Sequence, residues 1–389
     1  MCQDDDILFI CSNCVKDKNL KQIVLQYSNY FDTCKLCKRK CKVADTSVNE
    51  INQLFKALIR YYYDEVQYNS HWGGDSIETL FQNENSILNF SSNFDELAIE
   101  SIVLSLIGEE YYEKYDKGIT LYAGYDGCGQ QNKLLTALKN DGDKEINRLK
   151  KRLENENFFI IEEEIKELLK PVLVSISSSL SSCGFYRARI GIKSSNRDYE
   201  AEIFGSYKKN IYTPYKRSEI SAPPPHLSKH GRVNRQGVSF LYCASNIETA
   251  VSEIRPHPGD YVSIGKFHLK REVKIADFTK PFLLKYCKSD KMLDESPFSL
   301  LDTINQILSR PLPESQKNEY SLTQLIADSL RQLEFDGICF NSSVSDGKNF
   351  VFFNSADLEY TDEKSSVAEI KSLKYTFKEY PYEKIDLFH

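Results

Sequence analysis

The 389-residue sequence lacks several features that would assign it to a common class of protein. Its net charge is −6, so it has no basic excess of the kind that drives binding to phosphate backbones, and nucleic acid is disfavoured as its main ligand. No apolar run approaches the length of a membrane span, and the acidic N-terminus Met1–Asp6 is unlike a secretory signal. We therefore expect a cytoplasmic protein with no membrane partner.

Several catalytic signatures are also missing. There is no Ser-His-Asp arrangement for acyl transfer, and the loop Gly231–Gly237 does not match a phosphate-binding Walker loop. A helical RNase of the HEPN type would need an Arg followed a few residues later by a His on one helix. His71 is the only histidine before residue 226, and Arg60 lies too far upstream of it. Nuclease activity of that type is therefore not expected.

The eleven cysteines are unevenly distributed, and six of them lie within the first 41 residues. Among these six, Cys11–Cys14 and Cys34–Cys37 are two CxxC units with nineteen residues between them. The two thiolates of each unit can turn toward one ion, and two such units make a tetrahedral four-sulfur site. We therefore predict a structural Zn²⁺ bound by Cys11, Cys14, Cys34 and Cys37. Cys41 could replace Cys37, and a redox dithiol or free thiols are the competing interpretation.

Three regions follow one another along the chain. Residues 1–45 are predicted to form the zinc knuckle, residues 46–171 a helical domain, and residues 180–389 a mixed α/β domain. Within the helical domain, a helix is expected to start at Phe94–Leu97, and the Lys- and Glu-rich segment 141–169 is typical of solvated helices. In the last region, the periodicity predicts a helix over 322–333 and strands over 185–190, 261–269, 273–278, 337–340 and 350–353.

The most informative segment runs from Val238 to Arg255. Val238, Phe240 and Tyr242 alternate onto one face as in a strand, and apolar residues over 250–254 then follow helical spacing. The pattern places Tyr242 and Glu253, eleven residues apart, near a strand-to-helix junction. Small-molecule sites are often built at such junctions. A core tyrosine and a solvated helix glutamate would produce the same pattern.

Residues 185–355 resemble the RES domain family, which is named for its Arg, Glu and Ser motifs. Arg187, in Phe-Tyr-Arg-Ala-Arg, matches the first motif. The loop Gly-Arg-x-Asn-x-x-Gly over 231–237, followed by Tyr242 and Glu253, matches the second, and Ser342 in Asp-Gly-Ile-Cys-Phe-Asn-Ser matches the third. The preceding part of the chain, with its two CxxC units, is similar to the HEPN-like extension found before some RES domains.

The resemblance implies an α+β protein in which a zinc knuckle and a helical domain precede a mixed α/β RES domain with an ADP-ribosyltransferase-like fold. It also implies an enzyme that acts on NAD⁺, since many relatives are bacterial toxins that deplete NAD⁺ by hydrolysis or phosphorolysis. We accordingly expect a toxin or defence effector whose partner is an antitoxin or a regulatory protein. The oligomeric state stays open, with a homodimer as one option.

Two alternative functions are compatible with the same sequence. The first is an ADP-ribosyltransferase that uses the same site to modify a protein or a nucleic acid. The second is a zinc-dependent nucleic-acid-binding module in which the RES domain is inactive. The acidic net charge disfavours the second alternative, because affinity for a phosphate backbone needs clustered positive charge.

The matched residues have chemistry that suits cleavage of the nicotinamide–ribose bond. A planar guanidinium binds phosphate oxygens in bidentate fashion, so we expect Arg187, with Arg232 as a second contact, to bind the diphosphate of NAD⁺. The ring of Tyr242 can pack on the nicotinamide or its ribose. The Glu253 carboxylate would stabilise the positive charge that develops on the ribose in the transition state.

Other residues in the matched motifs are predicted to support the site. Ser342 could orient the ribose, the nicotinamide amide or Glu253, and Asn234 is predicted to bind the substrate. Arg189 competes with Arg187, because both point to the same face of one strand, and Ser343 competes with Ser342. Three histidines lie near these motifs in sequence and are expected to be ordinary loop residues: His226, His230 and His257.

Overall fold

The computed structural model describes residues 8–68, 73–75, 78–82, 87–89, 136–197, 210–280, 282–285, 295–311, 320–374, 377 and 379. The chain divides into two compact units, of which the first comprises Met1–Val174 and Lys280–Ile307 and the second comprises Ser175–Thr279 and Leu308–His389. The first unit is mainly helical and the second contains a large mixed sheet, which confirms the predicted α+β class. His71 and the helix start predicted at Phe94–Leu97 lie outside the described residues.

The first unit contains a small antiparallel sheet with the strand order β1–β3–β2. These strands are β1 Phe9–Ile10, β2 Tyr30–Thr33 and β3 Lys40–Asp45. The described helices of this unit are α1 Lys18–Gln26, α2 Asn49–Tyr62, α3 Glu65–Tyr68, α4 Glu78–Gln82, α5 Leu138–Asp141, α6 Lys144–Arg152, α7 Phe158–Leu169 and α10 Phe282–Lys285. Helices α8 Leu173–Ile176 and α11 Glu295–Ser309 reach its boundaries.

The Lys- and Glu-rich segment forms the two helices α6 and α7. Asp143 caps the start of helix α6, since its carboxylate accepts a hydrogen bond from the backbone N–H of Ile146 at 2.9 Å. Arg152 at the end of α6 pairs with Glu164 of α7 at 2.7 Å, and both side chains are partly exposed. Most charged residues of the two helices are exposed or half-buried, as predicted, whereas Glu162 is buried. Nowhere in the described chain is a helix both long and apolar enough to cross a membrane.

The second unit is built on an eight-stranded sheet with the order β13–β9–β5–β8–β12–β11–β10–β4. Its strands are β4 Ser177–Leu180, β5 Gly184–Ile190, β8 Leu241–Ala244, β9 Tyr261–Leu269, β10 Val273–Asp277, β11 Gly337–Asn341, β12 Lys348–Phe352 and β13 Leu358–Glu369. Neighbouring strands are antiparallel except for β10 and β11, which are parallel. Two further strands, β6 Ser194–Arg197 and β7 Asn210–Thr213, form a separate ribbon.

The large sheet opens between β5 and β8. These two strands are paired at one position, where Tyr186 lies opposite Ala244, whereas β5 and β9 are paired at seven successive positions. Backbone groups beyond that one pair are therefore not used in the β5–β8 ladder and must find other partners. This opening is where the candidate site is found.

The core covers both faces of the sheet. On one face, large side chains from five strands are almost fully buried: Phe185, Leu241, Phe267, Ile275 and Phe352. On the other face, the small residues Ala188 and Ala244 pack with Ala250 of helix α9 (Ile247–Glu253). Small side chains allow a helix to lie close to a sheet, and each square ångström of buried apolar surface stabilises by about 25 cal/mol. This packing holds α9 against β5 and β8.

The strand and helix predictions for the second unit are confirmed with one difference. Strands β5, β9, β10, β11 and β12 and the helix α12 (Ser321–Gln332) lie within two residues of their predicted positions. The strand expected to carry Phe240 and Tyr242 on one face instead begins at Leu241. Phe240 lies just before the strand, where its ring packs on that of Phe353 at 4.9 Å, because the ladder with β12 starts at Leu241.

Candidate active site

A cavity of about 670 Å³ lies in the second unit where β5 and β8 separate. This volume is in the usual range of small-molecule sites. The lining residues of the cavity include three arginines and one glutamate, whose formal charges sum to +2: Arg187, Arg232, Arg255 and Glu253. Aromatic side chains complete much of the wall: Tyr186, Tyr242, Tyr320 and Phe340. Such a cavity is suited to a ligand with an anionic part and a planar ring.

Arg187 of β5 is held at the opening of the sheet. Its Nη1 donates to the backbone carbonyl of Tyr242 at 2.8 Å, across the gap between β5 and β8. Burial lowers the pKa of the Arg187 guanidinium. The Nε atom is buried and has no hydrogen-bond partner among the described residues. A buried N–H without an acceptor costs about 1–3 kcal/mol, and an anion in the cavity would remove that cost.

Arg189, which shares a strand face with Arg187, is directed elsewhere. Its guanidinium lies 4.6 Å from the ring centroid of Tyr215, and its Nη1 donates to the carbonyl of Glu219. The residue is exposed and does not line the cavity. Of the two arginines that the sequence analysis kept open, the structure therefore brings Arg187 to the cavity.

Tyr242 is oriented by the loop Gly231–Gly237. Its hydroxyl donates to Oδ1 of Asn234 at 2.6 Å and accepts the backbone N–H of Val233 at 3.3 Å. Burial raises the pKa of Tyr242 well above its ordinary value, so the phenol stays protonated. A β-carbon on Gly231 would lie 2.3 Å from Asn234 Oδ1 and 2.9 Å from the Tyr242 hydroxyl. The loop therefore requires glycine at this position.

Asn234 is buried within the loop and is not part of the cavity wall. Its Nδ2 donates to the carbonyls of Lys229 and Val238 at 2.9 and 3.0 Å, while its Oδ1 accepts from Tyr242. The sequence analysis predicted that Asn234 binds the substrate. In the structure, its polar atoms contact the loop and Tyr242, which is the position of a residue that orients the tyrosine.

Glu253 is the last residue of α9, and two donors hold one of its oxygens. Asn246 caps the start of the helix, since its side-chain Oδ1 accepts the Thr249 N–H at 2.8 Å. At the other end, Oε1 of Glu253 accepts the Ser342 hydroxyl at 2.7 Å and Nδ2 of Asn349 at 2.6 Å. Oε2 receives no hydrogen bond from any residue that the structure describes. The carboxylate is therefore clamped by one oxygen, and the other is available to a ligand.

Ser342 contacts Glu253 and does not itself line the cavity. Its hydroxyl oxygen accepts the backbone N–H of Val344 at 3.2 Å, which leaves the hydroxyl hydrogen for the carboxylate. Ser343 lines the cavity instead. Of the roles predicted for Ser342, orientation of Glu253 is the one that these contacts support.

The sequence analysis missed Asn349, the second donor to Glu253. Asn349 lies on β12 opposite Ala244 of β8, and it is 8% exposed. A single asparagine before a predicted strand of phenylalanines is a weak signal, and nothing in its neighbourhood connects it with a glutamate 96 residues earlier. The register of β12 on β8 brings the two together.

Replacing Asn349 with leucine is expected to lower kcat by about 10- to 100-fold, because the half-buried Glu253 carboxylate loses one of its two hydrogen bonds. The KM for the substrate should change by less than about twofold, since Asn349 positions Glu253 and does not bind the ligand in this arrangement. Steady-state kinetics would measure both constants. Asn341→Ala, at an exposed position on the neighbouring strand, is the control. A rise in KM with kcat unchanged would contradict the positioning role.

Arg232 is on the cavity wall and is tethered by its own domain. Its Nη1 donates to the carbonyls of Leu308 and Arg310, the latter at 2.7 Å. The guanidinium lies 5.6 Å from the ring of Tyr320 and 5.9 Å from that of Phe340, within the range of cation–π contacts. These contacts fix the plane of the guanidinium beside the cavity.

The three histidines lie in loops and a short 3₁₀ turn, as expected. His226 is exposed in the turn Pro225–Leu227, and the ring of His230 stacks on that of Tyr320 at 6.2 Å. His257 is exposed and lines the cavity. Of the three, His257 is the one that could contact a ligand in the cavity.

The predicted zinc ligands come together in the first unit. The Sγ atoms of Cys11, Cys14, Cys34 and Cys37 all lie within 4.8 Å of one another. The contacts Cys11–Cys14, Cys11–Cys37 and Cys14–Cys34 measure 3.5, 3.8 and 3.8 Å. Zn–S bonds of about 2.3 Å in a tetrahedron require sulfurs about 3.8 Å apart. The cluster therefore fits a four-sulfur zinc site. Cys41 lies outside it and contacts the Arg39 carbonyl at 3.5 Å.

The electrostatics of the cluster favour a cation. A hydrogen bond with Cys14 lowers the pKa of Cys34, and the same contact raises the pKa of Cys14. The backbone N–H of Cys11 also donates to Cys34 Sγ at 3.3 Å. Thiolates in a buried site repel one another, which opposes the deprotonation of all four cysteines when no cation is bound. A divalent ion would allow all four to deprotonate and bind it.

The fold and the cavity define a ligand-binding α/β domain whose site has clustered arginines and one clamped carboxylate. Residues 205–377 match the family model of the RES domain. The match includes Arg232, Asn234, Tyr242, Glu253 and Ser342, whereas Arg187 precedes it. The structure supplies what the match leaves out, since it brings Arg187 to Tyr242.

The chain is also similar to a solved structure, titled "Crystal structure of the M.tuberculosis MbcT-MbcA toxin-antitoxin complex". The TM-score is 0.29 and the sequence identity 11%, over 53% of this chain and 94% of that chain. A search of curated proteins gave no match.

Proposed function

We propose that the protein is an NAD⁺-consuming enzyme that cleaves the bond between nicotinamide and ribose. The observation that carries this proposal is the arrangement of Glu253, whose Oε1 is held by Ser342 and Asn349 while Oε2 is left for a ligand in a cavity that also carries Arg187. The RES domain match supports an enzyme of this class.

The charges of the cavity suit the anionic part of a dinucleotide. The diphosphate of NAD⁺ carries two negative charges, and the formal charges of the residues that line the cavity sum to +2. Arg187 offers its unpartnered Nε to a phosphate oxygen, and Arg232 presents a tethered guanidinium nearby on the same wall. Hydrogen bonds between a guanidinium and a phosphate are stronger than those between neutral groups. These contacts would fix the substrate by its diphosphate.

The proposed reaction transfers the ribosyl carbon from nicotinamide to an acceptor oxygen. The electron pair of the glycosidic C–N bond leaves with the nicotinamide ring, which becomes neutral and therefore needs no general acid. Positive charge develops on the ribose, and the negative Glu253 carboxylate would stabilise it more in the transition state than in the ground state. The acceptor forms the new bond to the anomeric carbon and loses a proton to solvent. Tyr242, neutral and held by Asn234, would pack on the nicotinamide side.

The acceptor defines two versions of the proposal. Water or phosphate would make the protein an NAD⁺ glycohydrolase or phosphorylase, which depletes the cofactor and so needs restraint by an antitoxin or a regulatory protein. A protein or nucleic-acid acceptor would make it an ADP-ribosyltransferase that uses the same residues. A purely nucleic-acid-binding module is disfavoured by the net charge of −6, because affinity for a phosphate backbone needs clustered positive charge.

Product analysis tests the proposal and separates its versions. Purified protein would be incubated with NAD⁺ in phosphate-free buffer, in phosphate buffer, and with cell lysate, and the products would be identified by mass spectrometry. Free ADP-ribose indicates hydrolysis, ADP-ribose phosphate indicates phosphorolysis, and a mass increase on a macromolecule indicates transfer. If nicotinamide is released under none of the three conditions, the proposal is wrong.

Replacing Arg187 with glutamine is expected to raise the KM for NAD⁺ by at least about tenfold, because a charge-assisted hydrogen bond to the diphosphate is lost. Arg189→Gln is the matched control, since Arg189 lies two residues along the same strand and contacts Tyr215 and Glu219 instead of the cavity. The measurement is the initial rate of nicotinamide release against NAD⁺ concentration. Equal KM values for the two variants would rule out Arg187 as a phosphate contact.

A further inference from the structure

Arg255 has an unfavourable backbone conformation at the wall of the cavity. Its φ is +48°, in the left-handed region that L-residues other than glycine and asparagine rarely adopt. It directly follows Ile254, the C-cap residue of helix α9, so it occupies the position after the C-cap where glycine is most common. Glycine at this position would avoid the steric cost of the β-carbon.

The residue after Arg255 adds a second conflict. Pro256 follows it, and the proline ring disfavours helical backbone angles in the residue before it, so such residues usually adopt extended conformations. The chain beyond is held in place, since the His257 N–H donates to Asp260 at 2.8 Å and Pro256 is buried. Arg255 thus adopts backbone angles that are disfavoured both by its own β-carbon and by the ring of Pro256.

The contacts of Arg255 within the protein do not explain why an arginine is kept there. Its backbone N–H donates to the Ser252 carbonyl at 3.2 Å, a bond that any residue except proline could make. Among the described residues, its side chain has no hydrogen bond or ion pair, and it is exposed. Arg255 nevertheless lines the same cavity as Arg187 and Glu253. Strained residues that persist in a fold are concentrated at ligand sites.

We propose that Arg255 is a specificity-determining residue that binds a phosphate oxyanion at the exposed edge of the cavity. The inference rests on the proposed function for the identity of the substrate as NAD⁺. The oxyanion has two sources in that reaction, which are the diphosphate of NAD⁺ and inorganic phosphate as the acceptor. Both present the same oxygens to a guanidinium, and the experiment separates them.

The first part of the experiment compares the stability of Arg255→Gly with that of Glu334→Gly. Glu334 is a matched control, because it follows the helix α12 in the same way with a φ of +61° and does not line the cavity. Glycine removes the strain at both positions, so the thermal midpoint of each variant is expected to be equal to or above that of the wild type. A midpoint more than about 4 °C lower for Arg255→Gly alone would mean that the side chain stabilises the fold, and the proposal would be overturned.

The second part measures binding without turnover. Calorimetric titration with inorganic pyrophosphate and with inorganic phosphate requires no enzyme activity, so its result is independent of whether NAD⁺ is consumed. We expect Arg255→Gly to lower the affinity for at least one of the two anions by about 10- to 100-fold, as for the loss of a charged hydrogen bond. Arg255→Lys should lower the same affinity by less. Glu334→Gly should bind both as the wild type does. Unchanged affinity of Arg255→Gly for both anions would refute the proposal.

Kinetics then identify the source of the oxyanion. If Arg255 binds the diphosphate, Arg255→Gly raises the KM for NAD⁺ in phosphate-free buffer. If it binds the acceptor, that KM is unchanged and stimulation of the wild-type rate by phosphate is lost. A variant that matches the wild type in both measurements would overturn the proposal. Absence of NAD⁺ consumption by the wild type would refute the proposed function alone, since anion binding is measured separately.

Discussion

Glu253→Gln is expected to lower kcat for nicotinamide release by about 10²–10³-fold, with little change in the KM for NAD⁺. The size follows from the loss of one preorganised charge that opposes the charge of the transition state. Glutamine has the same shape, and its Oε1 can still accept hydrogen bonds from Ser342 and Asn349, so the substitution removes the charge and keeps the clamp. The loss should therefore appear in kcat, because the charge on the ribose develops only as the bond breaks.

The control for this prediction is on the same helix. Glu248 lies in the first turn of α9, and it does not line the cavity. Glu248→Gln should keep the wild-type kcat and KM, and circular dichroism should show that both variants are folded. Consumption of NAD⁺ by Glu253→Gln at the wild-type rate would show that the carboxylate does not act on the ribose, and the proposed mechanism would fail.

Removal of zinc is expected to unfold the part of the chain that surrounds the cysteine cluster. Structural zinc sites contribute an apparent binding free energy of about 10–16 kcal/mol, which is more than a small domain usually has as its free energy of unfolding. Few other interactions can replace it, because the sheet β1–β3–β2 has three short strands, and β2 is mostly exposed. Cys34→Ser should have the same effect, since Cys34 is fully buried and contacts both Cys14 and Cys11.

Elemental analysis and hydrogen exchange measure this second effect. Protein purified without chelators should contain about one zinc per chain. Cys34→Ser should contain none, and its amides over residues 8–45 should exchange rapidly. Cys183→Ser is the control, because Cys183 is an exposed cysteine of the second unit and is not part of the cluster. Wild-type protein that is free of metal and fully protected over residues 8–45 would show that the four cysteines do not form a zinc site.

The zinc cluster shows how far local spacing can lead. Each CxxC unit brings two sulfurs close together within one turn of the chain. A four-sulfur site then needs only that the two units bind the same ion. The structure brings Cys11, Cys14, Cys34 and Cys37 together as predicted. Cys41 is not one of the four, and it lies on β3 opposite Asp32 with its sulfur 3.5 Å from the Arg39 carbonyl. Spacing alone left that choice open.

The strands of the second unit could be predicted from alternation along the sequence, but the pairing between them could not. Arg187 and Arg189 have the same periodicity, and the sequence offers no physical reason for them to differ. They differ in the fold because β5 leaves β8 after the pair Tyr186–Ala244, so that Arg187 meets a free carbonyl of Tyr242 while Arg189 lies beside Tyr215. The opening of the sheet is a property of the whole sheet and has no local signature.

The same contrast holds for the residues around Glu253. Residue types, their order along the chain and the family resemblance that they carry are sufficient to predict an α+β protein, a four-cysteine site and a set of Arg, Tyr, Glu and Ser residues that suit NAD⁺. The clamp of Asn349 on Oε1, the position of Asn234 behind Tyr242 and the left-handed backbone of Arg255 emerge from the three-dimensional fold alone. These features depend on how the strands align and on where helix α9 ends. The register of β12 on β8, for example, brings Asn349 within hydrogen-bond distance of Glu253, which lies 96 residues earlier.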